Sequence, residues 1–184
     1  MSTCLVEVVD TNGRVIRIDE KLKVHQEGSL HSAFSIFVFN AKSELLIQRR
    51  NKDKYHCGDK WSNTCCSHPF PGESVLEAGK RRLSEEMGLQ CDLRDVFNTI
   101  YRVNCDNGLV EHEYNTVLIG HSNDTPQINP QEVVEFKWVD VFLLCQDIVS
   151  APEEYTPWFR VLLLDAAAAF TRVRNSRRVS SAIN

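Results

Sequence analysis

A cysteine and a histidine stand two residues apart in the segment Trp61-Ser62-Asn63-Thr64-Cys65-Cys66-Ser67-His68-Pro69. A thiol can exchange protons, and an imidazole can bind a metal ion or move a proton. Because successive side chains of an extended chain alternate in direction, Cys65 should point away from Cys66 and serve packing. The segment therefore predicts one reactive thiol with a possible metal ligand beside it.

Carboxylates with the same spacing occur farther along the chain. Glu111 and Glu113 lie in an apolar run that is typical of a strand, so both side chains should share one face and His112 should point to the other. His25 and His31 flank the first buried strand. Imidazoles and carboxylates together make a borderline donor set that suits zinc or manganese.

The clearest helix of the chain begins after the Pro-rich turn. Ser74 and Glu77 form a capping box, and Gly88 is placed to end the helix after Met87. The 3.6-residue period predicts that Leu76, Leu83 and Met87 face a sheet. The arginine and glutamate residues of this helix could be no more than i,i+4 pairs on a solvated surface.

Composition restricts the class of protein. The chain has 184 residues, a net charge of −4 and 25% charged residues, which fits one domain and argues against bulk binding to nucleic acid or to an anionic membrane. No apolar run approaches a membrane span, and no secretory signal is visible. Seven scattered cysteines predict a reducing, cytoplasmic environment.

Alternation and turn signals predict the other elements. Asn12-Gly13 joins two apolar runs in a hairpin, whereas the polar segment 19–25 reads as a solvated loop. We expect further strands at 31–39, 45–48, 97–104, 110–120 and 133–139, and helices at 139–148 and 158–172. These elements predict one mixed α+β domain over residues 1–172, with the hairpin at 1–18 included, and a frayed basic tail at 173–184.

The capped helix carries a longer pattern that resembles the Nudix box, G-x5-E-x7-R-E-U-x-E-E-x-G-U. The matching residues are Glu73, Arg81, Leu83, Glu85, Glu86, Gly88 and Leu89. Two positions depart from it, since Ser67 replaces the leading glycine and Arg82 replaces the glutamate after the arginine. The resemblance implies a Nudix-like fold of mixed β-sheets flanked by helices. The departure at Arg82 weakens multi-metal hydrolysis but still suits diphosphate binding.

From about residue 18 to 165 the chain resembles the type I isopentenyl-diphosphate isomerases, which are Nudix-fold enzymes that do not hydrolyse their substrate. The segments that carry the resemblance are His31 to Ser35, Leu46 to Arg50, Trp61 to Pro69, Arg82 to Gly88, Glu111 to Glu113 and Thr156 to Trp158. The resemblance implies isomerisation of isopentenyl diphosphate to dimethylallyl diphosphate by protonation and deprotonation, in isoprenoid biosynthesis.

The resemblance also assigns roles to residues. The acid–base pair would be Cys66 and Glu113, with Tyr101 relaying a proton to Glu113 and Trp158 facing the carbocation. We favour Glu113 with Tyr101 as the acid and Cys66 as the base, although the sequence does not decide between the two assignments. The diphosphate would be bound by Lys21, Arg50, Lys54 and Arg82.

Two metal ions are implied in the same way. One zinc or manganese ion would be held by His25, His31, His68, Glu111 and Glu113, and Glu86 would hold a magnesium ion that accompanies the diphosphate. The expected partner is this small-molecule substrate, with no nucleic acid and no membrane, and the expected state is a monomer or weak dimer. Two other hypotheses stay open: a Nudix hydrolase of nucleoside diphosphate derivatives, and an inactive Nudix module that binds a diphosphate ligand or a protein.

Overall fold

The computed structural model describes residues 4–164, and the chain folds around one mixed β-sheet. The strands are β1 Leu5–Val9, β2 Val15–Glu20, β3 His31–Phe39, β4 Leu45–Arg50, β5 Trp61–Ser62, β6 Cys65–Ser67, β7 Arg94–Asn104, β8 Val110–His121 and β9 Val133–Val139. The helices are α1 Lys21–Glu27, α2 Val75–Met87, α3 Val141–Ser150 and a fourth, α4, that is helical over 157–164. Short 3₁₀ turns occur at Asp106–Gly108 and Pro152–Glu154. This architecture confirms the predicted α+β class.

The sheet is built around β3. Strand β8 lies parallel to β3 on one side, while β6 lies antiparallel to it on the other. Strand β7 pairs with β8 as the predicted second hairpin, and β9 pairs with β4. The first hairpin, β1 and β2, joins the sheet through β1. Long-range pairing therefore brings three separate parts of the sequence side by side at β6, β3 and β8.

The two faces of β3 have different surroundings. Phe34, Ile36 and Val38 belong to a buried cluster that is covered by α2. Phe37 belongs to a second cluster on the opposite face, which includes side chains of α3 and α4. Because strand side chains alternate, His31 and Ser35 lie on the same face as Phe37. The sheet thus separates the core under α2 from the face that carries the predicted chemistry.

Helix α2 forms where the sequence predicts it. The Ser74 side chain accepts a hydrogen bond from the backbone of Glu77, the reciprocal bond is present, and Gly88 ends the helix at φ 62°. Leu83 and Met87 are fully buried as expected. The prediction for Leu76 is wrong, because this residue lies in the first turn and 39% of it remains exposed. Ala78 and Gly79 take the buried positions at that end of the helix.

The prediction of a solvated loop at 19–25 is also wrong. Residues 21–27 form α1, and Val24 and His25 are fully buried in it. The helix is amphipathic over only two turns, which is too short for a periodicity signal to stand out among its charged residues. Gly28 ends α1 in the left-handed region at φ 66°. The second half of the helix predicted at 158–172 and the tail at 173–184 lie outside the described residues.

Candidate active site

The sheet register directs the predicted reactive side chains to one face. His31 is the partner of Glu113 on β8, and Ser35 is the partner of Cys66 on β6. Residues paired in register project to the same side, and His31 and Ser35 are four residues apart on β3, so all four side chains share a face. The thiol and the carboxylate therefore lie on the two strands that flank β3 and border the same pocket.

Four of the five predicted metal ligands form a compact cluster at the end of this face. One donor atom each from His25, His31, His68 and Glu111 lies within 4.8 Å of every other. Glu111 Oε2 is 3.0 Å from His25 Nε2 and 3.7 Å from His31 Nε2. The fifth predicted ligand, Glu113, approaches the same imidazoles, with Oε1 3.5 Å from His68 Nε2.

The protonation states of these groups suit a cation. Burial lowers the pKa of His31 to about 4 and holds the pKa of His68 well below its usual range, so both rings are neutral at pH 7. Although burial alone would raise it, contacts with His25 and His56 hold the pKa of Glu111 well below the usual value. His31, His68 and Glu111 are thus in the protonation states that bind metal ions.

Several polar atoms of the cluster are buried without a protein partner. His25 Nε2 and Glu111 Oε2 lie 3.0 Å apart, yet neither atom makes a well-aligned hydrogen bond, although buried polar groups normally do. The Nδ1 atoms face outward, where His25 contacts the carbonyl of Lys21 at 2.6 Å and His31 that of Ser29 at 2.9 Å. Carbonyls that fix the far side of an imidazole are typical of metal ligands. The residues present therefore fit a divalent metal ion.

Glu113 is held by two donors on the side away from the histidines. Its Oε2 accepts hydrogen bonds from Tyr101 Oη at 2.5 Å and from Asn115 Nδ2 at 2.8 Å. Burial and the neighbouring Glu111 raise the pKa of Glu113 to about 7. The second oxygen remains directed toward the cluster, so the carboxyl group can take up or release a proton at a fixed position.

Cys66 and Cys65 have different environments, as the alternation predicts. Cys65 is fully buried in the core under α2, whereas Cys66 contacts the other core cluster and lines the pocket. Burial raises the pKa of Cys66 to about 12, and Arg50 opposes that rise. The Cys66 thiol is therefore protonated in the protein before any ligand binds.

Trp158, at the start of α4, closes one wall of the pocket. Its Nε1 donates to Ser62 Oγ at 3.1 Å, and the Ser62 hydroxyl in turn lies 3.1 Å from Thr156 Oγ1. The guanidinium of Arg50 stacks 5.1 Å from the ring centroid. The indole is thus fixed in orientation, and its face already attracts a cation.

Basic side chains gather at the mouth of the pocket. Arg82 on α2 contacts Glu86 Oε1 at 2.5 Å and Glu132 Oε1 at 3.3 Å, and Lys54 also pairs with Glu132. Burial lowers the pKa of Lys54 to about 8, and the nearby arginines add to this effect. A group that carries negative charge would relieve the repulsion among these cations.

Two charged residues of α2 that match the Nudix box, Arg81 and Glu86, make specific contacts. Arg81 binds Glu73 through two parallel hydrogen bonds of 2.8 and 2.7 Å, which tie the helix to the loop before it. Glu86 is buried and accepts a hydrogen bond from Gln48 Nε2 at 3.0 Å. Glu86 therefore reaches the pocket, whereas Glu85 remains exposed.

All the residues predicted to be catalytic, to bind the diphosphate or to hold a metal ion lie in or directly beside one pocket. The pocket is lined by Lys21, Arg50, Lys54, Tyr55, His56, Cys66, Ser67, His68, Arg82, Glu86, Tyr101, Glu111, Glu113 and Trp158. His25 and His31 complete the cluster beneath it. His112 points away and contacts the carbonyl of Gly28 at 2.9 Å.

Sequence reasoning missed three contributors. Tyr55 and His56 come from a loop that reads as an exposed connection, yet His56 is only 5% exposed and its Nε2 lies 2.8 Å from Glu111 Oε1. Asn115 is two residues beyond Glu113, and the same alternation that relates Glu111 to Glu113 could have found it. No local sequence signal could have predicted that His56 lies beside Glu111, because the path of a loop depends on the surfaces that it contacts.

Proteins of known family resemble this chain over most of its length. The sequence profile of the NUDIX domain matches residues 29–159. The chain is 46% identical over 156 residues to an isopentenyl-diphosphate Delta-isomerase of Pectobacterium atrosepticum, covering 85% of this chain and 87% of that protein. It is 42% identical over 177 residues to isopentenyl-diphosphate Delta-isomerase 2 of Aromatoleum aromaticum, covering 96% and 90%.

Solved structures share the fold at low sequence identity. A Deinococcus radiodurans protein superposes with a TM-score of 0.74 at 17% identity, covering 88% of this chain and 98% of that one. A MutT protein of Methanosarcina mazei superposes with a TM-score of 0.61 at 20% identity, covering 74% and 91%. At these identities the likeness concerns the fold alone. Within residues 4–164, no helix is long and apolar enough to cross a membrane.

Proposed function

Because the chain belongs to the NUDIX domain family and, within it, to the isopentenyl-diphosphate Delta-isomerases, we propose that it converts isopentenyl diphosphate to dimethylallyl diphosphate. In this reaction a proton adds to the terminal alkene carbon, and a proton leaves the methylene next to the resulting tertiary cation. No atom is gained or lost overall. The chemistry therefore needs an acid and a base at one dry pocket.

The observation that carries this proposal is the placement of Cys66 and Glu113. Both project from one face of the sheet, from the strands on either side of β3, and both line the same pocket. A substrate bound over β3 would have the thiol toward one side and the carboxyl group toward the other. This arrangement supports proton addition and proton removal at neighbouring carbons.

In our proposal Glu113, with Tyr101, is the acid in the direction of dimethylallyl diphosphate. Burial and the neighbouring Glu111 raise the pKa of Glu113, which favours a proton on its carboxyl group, and the Tyr101 hydroxyl keeps that group oriented. Cys66 is the base and returns its proton in the reverse reaction. Because burial raises the pKa of Cys66, its thiolate is a minor form that Arg50 favours.

Trp158 would stabilise the cationic intermediate. Its ring is buried, apolar and fixed by Ser62, and an indole attracts a desolvated cation by about 2 kcal/mol or more. The Arg50 guanidinium occupies one approach to this ring. Binding of the diphosphate would draw Arg50 toward the phosphate oxygens, so that the organic cation becomes the partner of the indole.

The four cations at the mouth would hold the diphosphate. Arg50 and Arg82 can chelate phosphate oxygens with two hydrogen bonds each, while Lys21 and Lys54 act as point charges. Arg82 must exchange its contact with Glu86 for phosphate. Glu86 is then available for a magnesium ion that accompanies the substrate, since magnesium is commonly held by one carboxylate and by phosphates.

One divalent ion, zinc or manganese, would be held by His25, His31, His68, Glu111 and Glu113. When bound, it supplies positive charge that offsets the two carboxylates and fixes the geometry of the cluster. The neutral imidazoles and the buried atoms without partners support this assignment. We further propose a cytoplasmic location and a monomer or weak dimer, in keeping with seven cysteines of which none forms a disulfide in the described residues.

An exchange experiment tests the function. The full chain is incubated with isopentenyl diphosphate in deuterated water, and deuterium in the allylic product is measured together with phosphate release from nucleoside diphosphate derivatives. We expect deuterium in the product and no phosphate release. Phosphate release without exchange would instead identify a hydrolase, and neither signal, with ligand still bound, would identify an inactive diphosphate-binding module.

Adjacent cysteines provide a matched pair of variants. Cys66→Ala should abolish exchange while metal content is retained, because it removes only the proton-transfer group. Cys65→Ala is the control, since this thiol lies in the core on the other side of the sheet. Exchange that survives Cys66→Ala at the level of Cys65→Ala would reject the proposed role of Cys66.

A further inference from the structure

A second cluster of potential metal ligands lies next to the active site. One donor atom each from His56, Cys57 and Cys105 lies within 4.8 Å of every other. His56 and Cys57 are buried, and Cys105 is partly buried. These residues come from two separate parts of the chain, the loop after β4 and the end of β7, so only tertiary structure brings them together.

The loop is held in an unusual conformation at this point. Cys57 has φ 48°, a left-handed value that costs a non-glycine residue about 1–2 kcal/mol. Arg50 fixes the loop by donating to the carbonyl of Cys57 at 3.1 Å and to that of His56 at 3.3 Å. Strain that the surroundings maintain in this way is common at functional sites.

The imidazole of His56 is placed like that of a metal ligand. Its Nε2 lies 2.8 Å from Glu111 Oε1, and neither Nε2 nor the buried Nδ1 makes a well-aligned hydrogen bond in the described part of the chain. The ring is 95% buried, so water does not readily compensate for the missing bond. A carboxylate on one ring nitrogen and a metal on the other is a recurrent arrangement at zinc sites.

The two thiols contact each other as well as the histidine. Cys105 hydrogen-bonds with Cys57, and this bond and burial raise the pKa of the Cys105 thiol. Two cysteines and one histidine are ligands that zinc binds in both structural and catalytic sites. Binding would release the thiol protons, so affinity should rise with pH.

We propose that His56, Cys57 and Cys105 form a second metal site, which takes zinc or another thiophilic divalent cation. It is separate from the cluster of His25, His31, His68 and Glu111, whose donor atoms are nitrogen and oxygen alone. The second site links the loop that carries Lys54 to the hairpin that carries Glu111 and Glu113. The proposal concerns metal binding and does not depend on the reaction that the pocket catalyses.

The difference in donor atoms gives a direct test. The reduced, metal-free full chain is titrated with Co²⁺, and the near-ultraviolet absorption is followed, because thiolate ligation produces a charge-transfer band that nitrogen and oxygen ligands do not. We expect two Co²⁺ per chain and a thiolate band in the wild-type protein. In Cys57→Ser and in Cys105→Ser the band should disappear and one equivalent of metal should remain.

Control variants separate the two sites and the other thiols. Cys145→Ser removes another partly buried thiol and should keep the band, and so should Cys66→Ala, which removes the thiol that lines the pocket beside His68 and Glu111. His25→Ala should lose one equivalent of metal and keep the band. The thiolate band of His25→Ala therefore reports on the second site alone. It stays informative even if the first cluster binds no metal or the proposed isomerisation is not observed.

Three results would overturn the proposal. The first is the absence of a thiolate band in the wild-type protein, which needs no variant to fold. The second is a band that Cys66→Ala abolishes and Cys105→Ser keeps, since the thiolate would then belong to the first cluster. The third is a disulfide between Cys57 and Cys105 that remains after treatment with reductant, which mass spectrometry would show as a mass lower by two hydrogens and which would leave no thiolates to bind the metal.

Discussion

Tyr101→Phe tests whether the phenol hydroxyl positions the carboxyl group of Glu113. The substitution keeps the aromatic ring in its core cluster and removes only the hydroxyl that donates to Glu113 Oε2 at 2.5 Å. Asn115 remains as the other donor at 2.8 Å. The variant therefore changes one hydrogen bond to the proposed acid and leaves the shape of the pocket unaltered.

The expected loss follows from the strength of that bond. A hydrogen bond to a charged group contributes about 1.5–3 kcal/mol. If Tyr101 stabilises the carboxylate that forms when Glu113 gives up its proton, this energy is lost from the transition state. At about 1.36 kcal/mol for each tenfold change in rate, kcat should fall by a factor of roughly 10 to 150. KM should change little, because Tyr101 does not contact the diphosphate-binding cations.

Tyr155→Phe is the matched control. Its hydroxyl also donates to a carboxylate at 2.5 Å, that of Asp147, but this pair lies outside the pocket. Both variants should lose stability in urea denaturation, while steady-state kinetics should show a fall in kcat for Tyr101→Phe alone. Equal kcat values for Tyr101→Phe and the wild-type protein would refute the positioning role of Tyr101.

Three further variants test other parts of the structure. Trp158→Leu should lower kcat about 30-fold, since a cation–π contact of about 2 kcal/mol with the intermediate is lost, and should change diphosphate affinity little. An equal loss of diphosphate affinity, measured by calorimetry, would contradict this. Glu73→Gln should reduce stability at pH 7, because Arg81 holds the pKa of Glu73 below its usual 4.5. The ionised Glu73 stabilises the fold above the pKa that it has in the unfolded chain, and this stabilisation is lost as the pH falls through its lower pKa in the folded protein. The unfolding free energies of wild type and variant, measured in urea, should therefore converge in acid. A difference that stays constant with pH would contradict this. Gly88→Ala should lower the free energy of unfolding by roughly 2–5 kcal/mol, because alanine is strained in the left-handed region and its Cβ would lie 2.6 Å from the backbone oxygen of Gln127. A small change in the midpoint of urea unfolding would contradict this and show that the end of the helix can shift.

Local signals in the sequence were sufficient for much of the framework. The Asn12-Gly13 hairpin and the capping box from Ser74 to Glu77 depend on residues only a few positions apart, and both are present as predicted. Period-two alternation correctly separated Cys65 from Cys66. These features are decided by backbone geometry and short-range hydrogen bonds, so the sequence alone specifies them.

Family resemblance supplied what local physics could not. Nothing in spacing relates Lys21 to Arg82 or His25 to His68, and each of these residues alone is compatible with an ordinary surface or core position. The long box pattern and the segment from Trp61 to Pro69 identified them as a set, and the structure brings that set to one pocket. Their catalytic and binding roles remain predictions until the variants above are measured.

What only the tertiary structure decided concerns burial and long-range contact. Segment 19–25 is polar enough to read as a loop, yet residues 21–27 form a helix because Val24 and His25 are covered by neighbouring strands. Leu76 has the period of a core residue but lies at an end of α2 where the sheet does not cover it. His56 reaches Glu111 because the loop folds over the sheet, and in doing so it meets Cys57 and Cys105. The sequence determined which side chains were available and which way neighbours point along a strand. The packing of distant segments determined which of them meet, because contact energies between such segments are gained only once the whole sheet has formed.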